Sequence, residues 1–304
     1  MLNGNQLARF GAISKVFNSA PNAKIFFVGA TSLPGVNDFL EDFTPDAQGQ
    51  NRVFSTLVGA LADSNVVTGR GDVIYVLPGH TESISSAGAL TVSKADVSII
   101  ALGNGDDRAT FTFDTATTAT LVVSAANVKF ENIIFNLAGF DAVASPINVQ
   151  AAACEFNACK FINATASAQA TLGIVTTAAG TKLVVRNSMF VGTSDAGTTS
   201  VIRIVGGADH VIENNSFHGA YGSGVGAIEN TTTAATNVSI RGNTINNLTA
   251  SSTKAITVVA ATTGIIANNR MQILSGTAPI TGAAMSWVGG NYYAATIATA
   301  GTLI

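Results

Sequence analysis

Apolar residues recur along this chain at a spacing too long for a helix face or a hairpin. Six segments share one pattern: an apolar residue, Asn or a small residue at offsets two and three, and a second apolar residue at offset five. They begin at Phe130, Phe156, Val185, Ile212, Ile240 and Ile266 and end at Phe135, Phe161, Phe190, Phe217, Ile245 and Met271. Their starts differ by 26, 29, 27, 28 and 26 positions. A second apolar series, Ile147, Ile174, Ile202, Ile228, Ile256 and Met285, follows the first by 17, 18, 17, 16, 16 and 19. Two series with one shared period point to stacked repeats.

The polar positions inside the pattern have a geometric reason. In a straight strand, residues five apart face opposite sides. A single residue in the left-handed region, which Asn and Gly enter most cheaply, turns the chain and lets both apolar ends face inward. Asn132, Asn187, Asn214, Gly242 and Asn268 stand at that offset. One position later, Asn215, Asn243 and Asn269 are placed to stack as an amide ladder, with Cys159 and Ser188 as small fillers of the same row. Strand, bend, strand and a longer return make the unit of a right-handed parallel β-helix. The expected fold is all-β, with about seven rungs at the strand spacing of about 4.8 Å.

Outside the repeat, Val53, Phe54, Leu57, Val58 and Leu61 predict a helix from Asn51 to Asp63, with Asn51 as N-cap, covering the open end of the core. Residues 1–50 form a non-repeat N-terminal segment with an amphipathic stretch (Leu7, Phe10, Ile13, Phe17) and a strand from Lys24 to Val28. Residues 51–286 are read as capping helix and coil, and 287–304 as a C-terminal cap closed by Trp287, Tyr292 and Tyr293.

Composition narrows the function. Only 11% of residues are charged, against 47% hydrophobic, which argues against disorder and against a coiled coil. The formal net charge is -3 and no basic run exists to neutralise phosphates, so a nucleic-acid partner is not expected. No secretory signal is visible at Met1–Gly11, and the apolar stretch Ala255–Ala267 falls short of a membrane span. Cys154 and Cys159 are too few for a disulfide framework and lack zinc-ligand spacing.

Candidate chemistry is thin. Of 18 acidic residues, 13 lie at or before Asp141. Asp106, Asp107 and Asp114, with Glu131 nearby, form the best acidic cluster, and a solvated turn accounts for it more simply than a carboxylate pair for glycosidic cleavage. His80, His210 and His218 have no ligand partners at metal spacing and are expected on the surface or at an interface. Tyr221, Trp287, Tyr292 and Tyr293 are the aromatic candidates for carbohydrate contact. The expectation is no catalytic residue, no cofactor and no metal.

The stretch Gly71-Asp-Val-Ile-Tyr-Val-Leu-Pro-Gly79 resembles the entry strand of pectin-lyase-like β-helices. Ala23–Gly29, the acidic segment to Asp46, and Pro78-Gly-His-Thr-Glu82 resemble β-helical virion proteins of tailed bacteriophages, of the capsid-decoration or tail-spike kind. This resemblance implies a homotrimer on the capsid surface, assembled in the host cytoplasm, with the major capsid protein or another virion protein as partner. The expected role is a non-enzymatic decoration or cement protein docking through its N-terminal part. Leu7, Phe10, Ile13, Phe17, Phe26 and Phe27 are the candidate docking residues. The alternative is a tail-spike-like receptor binder or polysaccharide depolymerase.

Overall fold

A computed structural model describes residues 22–30, 52–164, 167–194, 198–230, 233–276, 278–282, 284–294 and 302–303. The chain winds into a parallel β-solenoid with three walls of 11, 10 and 8 strands. From Val73–Val76 onward neighbouring strands of one wall are a full turn apart in sequence, except that Thr302–Leu303 pairs back antiparallel on Tyr292–Ala294 at the edge of the second wall. The eight strands of the third wall mark eight turns, one more than the seven expected.

The two apolar ends of the repeat form the predicted inner rows. Phe130, Phe156, Val185, Ile212, Ile240 and Ile266 pair in parallel register along the first wall. Phe135, Phe161, Phe190, Phe217, Ile245 and Met271 do so along the second. On the third wall the row runs Leu121, Ile147, Ile174, Ile202, Ile228, Ile256 and then Ile280, not Met285. The last return is shorter than the others, so the spacing that selected Met285 overshoots the strand.

The bend between first and second walls is left-handed at Asn132, Asn187, Asn214, Gly242 and Asn268, with φ of 51° to 66°. Ala158 occupies the same bend in the second repeat at φ 54°. Just after it runs the amide ladder. The Asn215 amide nitrogen donates to Val185 O (2.9 Å) and to Asn243 Oδ1 (3.0 Å), and Asn243 and Asn269 repeat this one and two turns on. All three are buried, and the ladder ends on Asn291. Upstream, Ser188 and Cys159 continue the row as fillers, the Ser188 hydroxyl accepting from the Cys159 N–H at 3.1 Å.

Asn291 lies in the region read as a C-terminal cap, and the repeat in fact goes on through it. Trp287–Gly289 extends the first wall and Tyr292–Ala294 the second, with Val288 beside Ile266 and Tyr293 beside Met271. This turn starts only 22 positions after Ile266, outside the 26 to 29 period, which is why the period missed it.

The N-terminal end differs from the sequence reading in two ways. Strand β1 (Ile25–Val28) is built into the first wall between β2 (Val53–Phe54) and β3 (Val73–Val76), so a boundary at residue 50 cuts through the coil. The helix is also shorter than Asn51–Asp63. Val53 and Phe54 are extended, and α1 spans Leu57–Ala62 with Thr56 as N-cap, its hydroxyl accepting from Gly59 N–H at 3.0 Å. Leu57, Ala60 and Leu61 are buried against the core end. Glu82, in register with the inward Phe111, accepts from the Leu57 N–H at 2.8 Å and so ties α1 to the second wall.

Candidate functional surfaces

The acidic residues singled out from sequence each have separate partners. Asp106 is 93% exposed and lies 3.4 Å from Lys160. Asp114 accepts from Ser83 Oγ (2.6 Å) and Thr115 Oγ1 (2.8 Å), and Glu131 pairs with Lys129 at 2.8 Å. Asp107 uses its backbone carbonyl to accept from Gly79 N–H at 2.6 Å, closing the Pro78–Gly79 turn. Further along the first wall, Arg186 pairs with Glu155 at 2.8 Å and Arg241 with Glu213 at 3.2 Å. Such exposed pairs are worth little individually, but they leave this wall electrostatically self-paired. On the third wall, buried Glu229 takes Arg203 and the Ser200 hydroxyl on one oxygen. Among the described residues, no group of three His, Cys, Asp or Glu is arranged to hold a metal ion.

Two of the three histidines are not where sequence placed them. His80 (1% exposed) and His210 (0%) are buried, and only His218 is exposed. His210 occupies an inward row held elsewhere by Val97, Val128, Cys154, Leu183 and Val238, where an aliphatic side chain would be the simple choice. Its Nδ1 lies 3.3 Å from the Leu183 N–H and its Nε2 3.0 Å from the Gly206 carbonyl, so the neutral ring satisfies both neighbours. Burial, partly opposed by the Gly206 bond and by Asp209, lowers its pKa below 6.5. Below that value the unfolded chain takes up a proton that the folded ring resists. The His210 contribution to stability is therefore complete above about pH 6.5 and falls as the pH drops toward the folded pKa. Comparing His210→Val with the parent by urea unfolding at about pH 7 and about pH 5 isolates this, because carboxylate contributions are common to both. The parent is expected to lose more stability on acidification; parallel losses would refute the buried neutral ring.

The cysteines are buried and free. Burial pushes Cys154 up to about 11 and Cys159 up to about 12, which removes thiolate reactivity at neutral pH. Of the aromatic candidates, Tyr221 is buried and its hydroxyl is held far above the usual phenol range by burial, whereas Tyr292 is 50% exposed. Tyr221 lines a cavity of about 10 Å³ with Asn163, Thr198 and Gly219, room for about one water.

Among the candidate docking residues, Leu7, Phe10, Ile13 and Phe17 lie outside the described residues. Phe26 and Phe27 are buried within the chain itself, at 0% and 4% exposure, so neither offers free surface. Phe26 joins the main core. Phe27 points the other way and stacks at 6.0 Å on Tyr75, in an outer cluster with Val73, Leu77, Ile100 and Leu102. Sequence reading missed this cluster. Its signal is present in β3, where Val73-Ile-Tyr-Val76 is apolar on both faces, as in a strand covered on both sides.

No helix among the described residues is long and apolar enough to cross a membrane. The parallel solenoid is compatible with the pectin-lyase-like fold suggested by the Gly71–Gly79 stretch. Comparison with family models, curated proteins and solved structures gives no match.

Proposed function

We propose that this chain is a non-enzymatic structural protein of a tailed-phage particle, a homotrimeric capsid decoration or cement protein that docks through its N-terminal part on the major capsid protein or another virion protein. One observation carries this reading: the coil is asymmetric. Over its first rungs the first wall is apolar on both faces, with Phe27, Tyr75 and Ile100 outward and Phe26, Ile74 and Ile99 inward. From Lys129 onward the outer face of that wall carries paired charges instead. A doubly apolar wall is the mark of a layered region, and a charge-paired one of a solvated spacer. The resemblance of Ala23–Gly29, the acidic segment to Asp46 and Pro78–Glu82 to virion β-helices supplies the particle. In this reading the coil projects from the capsid surface of a virion assembled in the host cytoplasm.

Deleting residues 1–22, which leaves β1 intact, tests the docking. The truncated chain is expected to be soluble, to keep the β-rich circular dichroism of the parent, and to be missing from purified particles. Incorporation at the parental level would place attachment on the coil walls.

A further inference from the structure

The loop from Ser98–Ala101 of the first wall to Thr110–Phe113 of the second carries a chemically labile pair at its tip. Asn104-Gly105 is the one Asn-Gly pair among the described residues, and both are exposed, as are Asp106 and Asp107 after them. The base of the loop is stapled. The Asn132 amide donates to Ala101 O and Gly103 O (both 3.0 Å), and Arg108 Nη1 donates to Ala158 O at 3.3 Å. The tip is left open: among the described residues the Asn104 side chain makes no hydrogen bond and the Gly105 N–H has no acceptor. The turn asparagines Asn127, Asn132, Asn187 and Asn237 differ on both counts. Their amides are tied to Asp96, Ala101, Asn157 and Asp209, and Val128, Ile133, Ser188 and Val238 follow them.

The following glycine matters because a main-chain nitrogen reaches the preceding asparagine's side-chain carbon most readily where no Cβ crowds the approach. Gly105 sits at φ 59°, and a Cβ built on it would meet nothing within 4 Å, so the space around the tip is clear. Asn104 is extended, at φ -131° and ψ 155°, and its ψ must rotate to bring the Gly105 nitrogen onto Cγ. Little opposes that rotation. Asp107 N–H donates to Asn104 O (3.1 Å) and Arg108 Nε to Gly105 O (2.8 Å), two bonds at the surface, where local opening is easiest.

We propose that Asn104 is a self-modification site, converting to aspartate and isoaspartate through a cyclic imide with Gly105. Hydroxide takes the Gly105 amide proton, the nitrogen bonds to Asn104 Cγ, and the Cγ–Nδ2 bond breaks, Nδ2 taking a proton from water and leaving as ammonia. Water then opens the imide. Addition at Cγ breaks the new bond and gives aspartate. Addition at the main-chain carbonyl breaks the old peptide bond and gives isoaspartate, with the chain now running through Cβ and Cγ. One water is consumed and one ammonia released, with no change of oxidation state. Either product sets a third carboxylate beside Asp106 and Asp107, and isoaspartate lengthens the turn from which the Asp107 carbonyl holds Gly79 N–H at 2.6 Å. The site is independent of the particle assignment.

The test is incubation of the purified full chain in mildly alkaline buffer made with heavy-oxygen water, followed by peptide mapping with electron-transfer fragmentation. The peptide holding Asn104 is expected to gain about 3 Da, the exchange of an amino group for a solvent-derived hydroxyl, and to split into aspartate and isoaspartate forms. In the folded chain Asn104 should convert within about tenfold of its rate in urea, whereas Asn187 lags its own rate in urea by more than that. Gly105→Ala should slow the reaction about tenfold or more, since a Cβ then crowds the attacking nitrogen, and Asn104→Gln should stop it. Both positions are exposed, so cooperative thermal unfolding near the parent midpoint will show that the variants fold. The proposal is overturned if the folded chain keeps Asn104 intact while the unfolded chain converts it, or if Asn187 converts as fast as Asn104 in the folded chain. An undiminished rate in Gly105→Ala, or aspartate without isoaspartate, would also overturn it and point to direct hydrolysis.

Discussion

Replacing Asp72 by Ala is expected to destabilise the protein by about 3–5 kcal/mol, the cost of leaving a buried charge network without its centre. Asp72 is fully buried at the entry of β3. Its two oxygens accept from Lys24 N–H (2.9 Å), Val67 N–H (2.8 Å), and the Arg70 Nε and Nη2 (both 2.6 Å). One carboxylate thus joins the chain before β1, the turn after α1 and the first full rung. That gives the Gly71–Gly79 stretch a physical meaning: its acid is the knot of the N-terminal end. Asn at this position keeps the shape but offers only one accepting oxygen to four donors, so Asp72→Asn is expected to recover a minority of the loss. Urea unfolding followed by circular dichroism measures both variants; a change within about 0.5 kcal/mol, the range of ordinary surface substitutions, would refute the role given to Asp72.

A comparable loss, about 3–5 kcal/mol, is expected for Phe190→Ala. Its ring lies between Phe161 (4.4 Å, 5° between planes) and Phe217 (4.6 Å, 12°), in a stack that begins at Phe135. In a solenoid each rung contacts only its neighbours, so truncation in the middle weakens two interfaces at once. Met189, the adjacent residue, faces outward and is 48% exposed. Met189→Ala is expected to stay within about 0.5 kcal/mol. Equal effects at positions 189 and 190 would mean that the strand does not present alternate faces as described.

The inner rows were legible because a repeat makes the same demand at every turn: Phe156 and Phe161 are informative only when aligned with Phe130 and Phe135. The ladder was legible for the same reason, Asn215, Asn243 and Asn269 being polar residues at one fixed offset from the inner row. Where a position obeys a local need the signal fails. His210 fills an aliphatic row because its two nitrogens meet the Leu183 N–H and the Gly206 carbonyl, partners that the period of the inner rows does not encode. A second left-handed row, Asp96, Asn127, Ala153, Lys182, Asp209 and Asn237, stands three residues before the first-wall inner residues Ile99, Phe130, Phe156, Val185, Ile212 and Ile240. It escaped notice because Ala153 and Lys182 break its Asp/Asn composition, although Asn127 and Asn237 donate to Asp96 and Asp209 at 2.8 and 2.6 Å. On the outer face of the second wall Thr244, Asn246, Arg270 and Gln272 are unremarkable singly, and only the register sets them side by side.

The candidate docking residues teach the reverse lesson. Phe26 and Phe27 looked surplus because they precede the repeat, yet β1 alternates like any strand, sending one ring to the core and the other to the outer cluster. Apolar residues outside a period are not thereby free.

The central claim, a stiff coil anchored at its layered N-terminal end, is tested most directly by electron cryomicroscopy of virions carrying this chain. The account predicts trimers of three-walled coils standing on the capsid, the end with β1 and α1 against the shell and the turn containing Asn291 farthest from it. Particles without this chain, or coils attached by the Asn291 end, would contradict it.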